Sequence, residues 1–101
     1  MPTEPLSPQE TQDRLTELPG WSLENGRITR TYHLGSHRAA AAMVAHVAAI
    51  QDELNHHSDL TLGYNTLSLT VSTHDAGDAV TDLDLTLARR VAEIAPAHGA
   101  N

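Results

Sequence analysis

Residues 52–59 read DELNHHSD and place two adjacent histidines, His56 and His57, four and five residues after Asp52. Imidazole exchanges its proton near neutral pH, so a histidine pair beside a carboxylate suits acid–base work. On a helix Asp52 and His56 stand at i and i+4, where side chains meet, and a carboxylate on one ring nitrogen fixes the imidazole tautomer. His57 lies about 100° further round an ideal helix, so both rings address one ligand only if the helix unwinds near Asn55 and Ser58. Two more residues are candidates. His74 closes the strand-like run LSLTVSTH on its hydroxylated side. Asp84 follows Thr81 by three residues, where a carboxylate caps a helix and suits its positive end. Taken singly, each has an ordinary role as a solvated polar residue at the end of an element. The remaining histidines, His33, His37, His46 and His98, fall near a turn, on a helix flank and in a tail.

Other chemistries find less support. The chain has no cysteine, which removes disulfides, thiolate nucleophiles and cysteine-based zinc sites. Three histidines can bind zinc, but adjacent ones are awkward for a single ion and the HExxH pattern is missing, so no metal is expected. Ser58, Ser68 and Ser72 lack a nucleophile-elbow context, and there is no glycine-rich phosphate loop. The formal net charge of −7 argues against nucleic acid and against anionic membrane surfaces. The longest apolar stretch is broken by His46, and the polar start MPTEPLSPQE does not read as a signal sequence. A soluble cytoplasmic protein is the expectation.

The elements that must position these residues can be read from caps, turns and periodicity. A chain of 101 residues makes one small domain. Residues 1–6 read as a disordered lead, 7–96 as the domain and 97–101 as a frayed tail. Ser7-Pro8-Gln9-Glu10 is a helix start with a capping box, and the helix stops at Pro19-Gly20. Asn25-Gly26 joins strands at 21–25 and 27–34 as a tight hairpin. Ser36 caps a long helix, buried along Met43, Val47, Ile50 and Leu54, that fades near Asn55. Strands follow at 60–64 and 66–74, the second with Leu67, Leu69, Val71 and Thr73 on one face. A last helix opens at 81–84, with Leu83, Leu87, Val91 and Ile94 as its buried stripe, and ends at Ala95-Pro96. The order α-β-β-α-β-β-α points to an α+β domain: a four-stranded antiparallel sheet with three helices on one face. With no Phe and one Trp the core is thin, which suggests support from a homo-oligomer, with the alanine-rich helix as one packing surface.

In combination these residues resemble the pterin-4a-carbinolamine dehydratase family. The likeness is carried by Asp52-x-x-x-His56-His57-Ser58, then Tyr64, His74 and Asp84 in DLTLA. It extends to LPGW at 18–21, to His33-Leu34, to Val47-Ala48 and to Ser72-Thr73-His74, over residues 7–95. The resemblance implies the same α-β-β-α-β-β-α fold and assembly as a dimer or tetramer. It also implies loss of water from a 4a-hydroxytetrahydropterin to give the quinonoid dihydropterin, in recycling of a tetrahydrobiopterin-type cofactor. No metal or organic cofactor is implied, the pterin being the substrate. His56 and His74 become the acid–base pair, with His57 binding or assisting the pterin. Asp52 would orient His56, and Asp84 would support the site or bond the pterin. Ser72, Thr73, His74 and Leu60 would contact the pterin. Ser58 replaces the usual proline, Leu60 a bulkier residue and Asp52 a common glutamate. The family also includes transcription-factor dimerisation partners and proteins resembling Rubisco assembly chaperones, so a non-catalytic binding or assembly role on this scaffold is the alternative.

Overall fold

The computed structural model describes residues 4–101. Helix α1 (Pro8–Leu15) starts where the capping box predicts. Ser7 Oγ accepts from the Glu10 N–H at 3.1 Å, and the Glu10 carboxylate accepts from the Ser7 N–H at 3.3 Å. The helix ends earlier than Pro19-Gly20, and turns carry the chain onward with Leu18 still buried. Strands β1 (Ser22–Glu24) and β2 (Arg27–His33) form the expected hairpin. Asn25 and Gly26 both take positive φ, 52° and 77°, as a two-residue turn between right-twisted strands requires.

Helix α2 (His37–Leu54) begins with Ser36 Oγ accepting from the Ala39 N–H at 3.1 Å. Strands β3 (Asp59–Leu62) and β4 (Thr66–Val71) follow, and helix α3 (Asp82–Ile94) closes the domain. The sheet order is β1-β2-β4-β3, antiparallel throughout. The fold is thus the α+β arrangement read from the sequence. Alternation along the two central strands separates the faces. Ile28, Tyr32, Leu67, Leu69 and Val71 are buried beneath Met43 and Val47 of α2 and Leu87 and Val91 of α3. Each such side chain contributes about 1.5–3 kcal/mol of burial free energy. The opposite face carries hydroxyls, and Thr31 Oγ1 and Ser68 Oγ meet across it at 2.9 Å. Among the described residues no helix is long and apolar enough to cross a membrane.

Four expectations need correction. Strand β4 stops at Val71 rather than running to 74: Thr73 makes a single bridge to Ala79, and His74 sits on a 3₁₀ turn, His74–Ala76. The buried residues of α3 are Asp84, Leu85, Leu87, Ala88 and Val91, while Leu83 is 39% exposed. Asp84 turns inward because its oxygens accept from buried donors, His56 Nε2 and Thr73 Oγ1, as well as from the Thr81 N–H. The tail does not fray: a 3₁₀ turn, Ala95–His98, leads to Asn101, which exchanges both backbone hydrogen bonds with His33 at 2.9 Å. Of the proposed lead, residues 1–3 lie outside the described residues, and the Leu6 N–H donates to the Val80 carbonyl at 2.8 Å.

Candidate active site

Helix α2 ends in a way that decides where its histidines go. Asn55 adopts the left-handed conformation, φ 51°, which asparagine tolerates better than most residues. The Asn55 N–H bonds the Asp52 carbonyl and the His56 N–H bonds the Gln51 carbonyl at 3.0 Å, the paired bonds of a Schellman stop. His56 and His57 therefore lie beyond the helix, in the connection to β3. The unwinding that both rings needed to face one ligand is present.

That stop also reassigns the carboxylates. Asp52 does not meet His56. Its Oδ1 accepts from His57 Nε2 at 2.9 Å, in the open, with the two side chains 58% and 80% exposed. His56 turns inward and bonds Asp84 Oδ1 through Nε2 at 2.6 Å, with side-chain exposures of 9% and 0%. The i, i+4 expectation fails because α2 ends at Leu54, two residues before His56, and Asn55 between them is left-handed. Asp84, fully buried, is held on its other oxygen: Oδ2 accepts from the Thr81 N–H and from Thr73 Oγ1, both at 2.8 Å. A buried carboxylate needs such a set of donors. One side chain thus caps α3 and anchors His56. With the ring N–H at Nε2 directed to Asp84, the neutral imidazole keeps Nδ1 as its basic atom.

His74 completes a third pair. Its Nδ1 lies 3.4 Å from Asp78 Oδ1 across the 3₁₀ turn. Asp78 has φ 62°, and its other oxygen faces Arg27 at 3.8 Å.

His56, His57 and His74 line one open cleft of about 680 Å³, together with Ser72 and Thr73. Thr70 and Asp59, paired across β4 and β3, form part of its floor, and Leu83 is an apolar wall. Asp84 stands behind His56, and neither it nor Asp52 lines the cleft. Leu60 does not line it either, contrary to expectation. Leu60 pairs with Leu69, and opposed residues of an antiparallel pair share a face, so it packs on the core side. Tyr64 is also outside: it is 80% exposed and stacks on His37. Among the described residues no three metal-ligating side chains converge.

Sequence reading missed Asp78, Asp59, Thr70 and Gln51. Gln51 carried a signal, since it follows Val47 by four residues and so falls on the buried side of α2. It is 4% exposed.

The family model for pterin 4 alpha carbinolamine dehydratase matches residues 4–94. The chain belongs to this family. A Streptomyces avermitilis protein whose name assigns it, by inference, to pterin-4-alpha-carbinolamine dehydratase is 66% identical over the full length of both chains. A Chloroflexus aurantiacus protein named in the same way is 43% identical, covering 88% of this chain and 95% of its own. Among solved structures, a transcriptional coactivator/pterin dehydratase from Brucella melitensis superposes with a TM-score of 0.82 at 32% identity, covering 89% of this chain and 97% of that one. A pterin dehydratase-like Rubisco assembly factor of the alpha-carboxysome shares the fold, with a TM-score of 0.59 at 17% identity, over 73% of this chain and 84% of its own.

Proposed function

We propose that the protein dehydrates a 4a-hydroxytetrahydropterin to the quinonoid dihydropterin, in recycling of a tetrahydrobiopterin-type cofactor. The observation that carries this reading is the convergence of His56, His57 and His74 on one cleft, each ring paired with a carboxylate. The reaction removes the N5 proton while the C4a hydroxyl leaves as water. One group takes a proton and another supplies one, so the pair returns to its starting state after proton exchange with solvent. His56 and His74 are the acid–base pair in this reading, and such groups contribute typically about 10²–10⁴-fold each. His57 binds the pterin, with Ser72 and Thr73 offering hydroxyls to its polar ring atoms. Asp84 fixes the tautomer of His56, and Asp52 steadies His57. Imidazoles, pterin and water complete the chemistry, so the reaction calls for no metal or organic cofactor. The protein is read as a cytoplasmic homo-oligomer.

A second reading, a non-catalytic assembly or coactivator role, has one observation in its favour. With Leu60 turned into the core, the residues lining the cleft include no Phe, Tyr or Trp on which a pterin could stack.

One experiment separates the readings. The carbinolamine is generated in situ and its dehydration followed spectroscopically, with wild type, His56→Gln and His74→Ala. The dehydratase reading predicts a wild-type rate well above background and a loss of about 10²-fold or more in each variant. A wild-type rate equal to background contradicts it.

A further inference from the structure

Gln51 is a primary amide on the buried side of α2. A buried amide is destabilising unless its polar atoms find partners. Its oxygen finds two donors in a single residue. The Ser58 backbone N–H bonds Gln51 Oε1 at 3.0 Å, and the Ser58 hydroxyl bonds the same atom. The main-chain carbonyl of Gln51 accepts from the His56 N–H at 3.0 Å. One residue therefore grips the backbone at His56 with its carbonyl and just after His57 with its side chain. The histidine pair is bracketed between the two grips.

We propose that Gln51 is a positioning residue for the histidine pair, holding through Ser58 the segment that aims His56 and His57 into the cleft. The kinetic part of this inference rests on the dehydratase reading, and the positional part does not. Ser58 stands where the family resemblance leads one to expect proline. Proline would fix φ near −65° by its ring and would carry no N–H. Serine has a free φ and an N–H that needs an acceptor, and Gln51 meets both needs. A hydrogen-bonded brace from the helix does the work of a ring. The histidine neighbours on each side then keep their own partners, Asp84 and Asp52, because the main chain between them cannot drift.

The test uses Gln51→Met, which keeps length and apolar fit but removes the acceptor, and the double variant Gln51→Met/Ser58→Pro. Imidazole ¹⁵N NMR reports ring tautomer and hydrogen bonding, and the dehydration assay gives kcat and KM. In Gln51→Met, the His56 and His57 resonances move toward those of free imidazole. Its kcat falls about tenfold, the order expected of slight misplacement of reacting groups, with KM changed less than about threefold. Proline at 58 restores both readouts to within about threefold of wild type. Ser58→Ala, which removes only the hydroxyl, shifts the resonances in the same direction by less and serves if Gln51→Met does not fold. Wild-type ring resonances in a folded Gln51→Met overturn the proposal, as does a double variant no better than the single one. Without wild-type dehydration the enzyme reading fails, and the ring resonances still decide the positional claim.

Discussion

The cleft presents one kind of pair in two settings. On the inner wall His56 and Asp84 meet at 2.6 Å with almost no solvent contact. On the rim His57–Asp52 and His74–Asp78 meet at 2.9 and 3.4 Å with side chains from 49% to 94% exposed. Exposed ion pairs are screened and contribute about 0–1 kcal/mol, whereas a buried hydrogen-bonded carboxylate cannot be left unpartnered without a large penalty. The inner pair is therefore a fixed part of the fold, tied to the cap of α3 and to Thr73. The rim pairs can rearrange around a ligand. In the proposed dehydratase the inner ring is the preorganised group, and the rim rings approach the pterin when it binds.

The largest break in this comparison comes from removing the inner carboxylate. Asp84→Ala deletes the carboxylate half of the α3 capping box, orphans the Thr81 N–H, leaves the Thr73 hydroxyl with Thr81 Oγ1 alone, and frees His56. Urea unfolding is expected to show a loss of about 2–4 kcal/mol, combining a lost cap with unsatisfied buried groups. Asp52→Ala, the matching rim change, stays within about 0.5 kcal/mol of wild type in the same measurement. On the rim, His57→Gln is expected to raise KM several-fold with kcat within about threefold, since a solvated binding group acts mainly on ground-state affinity. Steady-state kinetics of dehydration check this.

The smallest effect lies outside the cleft, between α2 and α3. A hydrogen bond from Arg90, at 2.6 Å, and then its charge hold the Glu53 carboxyl below its ordinary value of 4.5. A lowered folded value means that the pair's stabilisation is present above about pH 4.5 and is lost as pH falls through that lowered value. Glu53→Gln is thus expected to lower the melting temperature slightly at pH 7 and not at all near pH 2. Calorimetry across that range checks it. A difference that grows in acid would contradict the assignment.

The sequence made the frame legible because its signals are local. The Ser7 capping box, the Asn25-Gly26 turn, the Ser36 cap and the alternation in LSLTV each act within a few residues, and each is where it was expected. The histidine set was legible as types in a family register. The pairing of carboxylates was not. His56 and Asp84 are 28 residues apart, and nothing local joins them. Asp52 looked like the partner of His56 only so long as the helix continued, and one left-handed residue, Asn55, gave it to His57 instead. Leu60 was misplaced because its face depends on strand register, which its pairing with Leu69 sets. His74 left the strand face because the chain turns at Thr73 to reach Ala79.

The central claim is that the inner His56–Asp84 pair, more than the rim pair His57–Asp52, sets the rate. The direct measurement is single-turnover carbinolamine dehydration by Asp84→Asn beside Asp52→Asn, at temperatures where both are folded. The account predicts a loss of about 10²-fold or more for Asp84→Asn, because the amide can no longer fix the His56 tautomer, and less than about threefold for Asp52→Asn. Equal losses in the two variants, or a larger loss in Asp52→Asn, would contradict it.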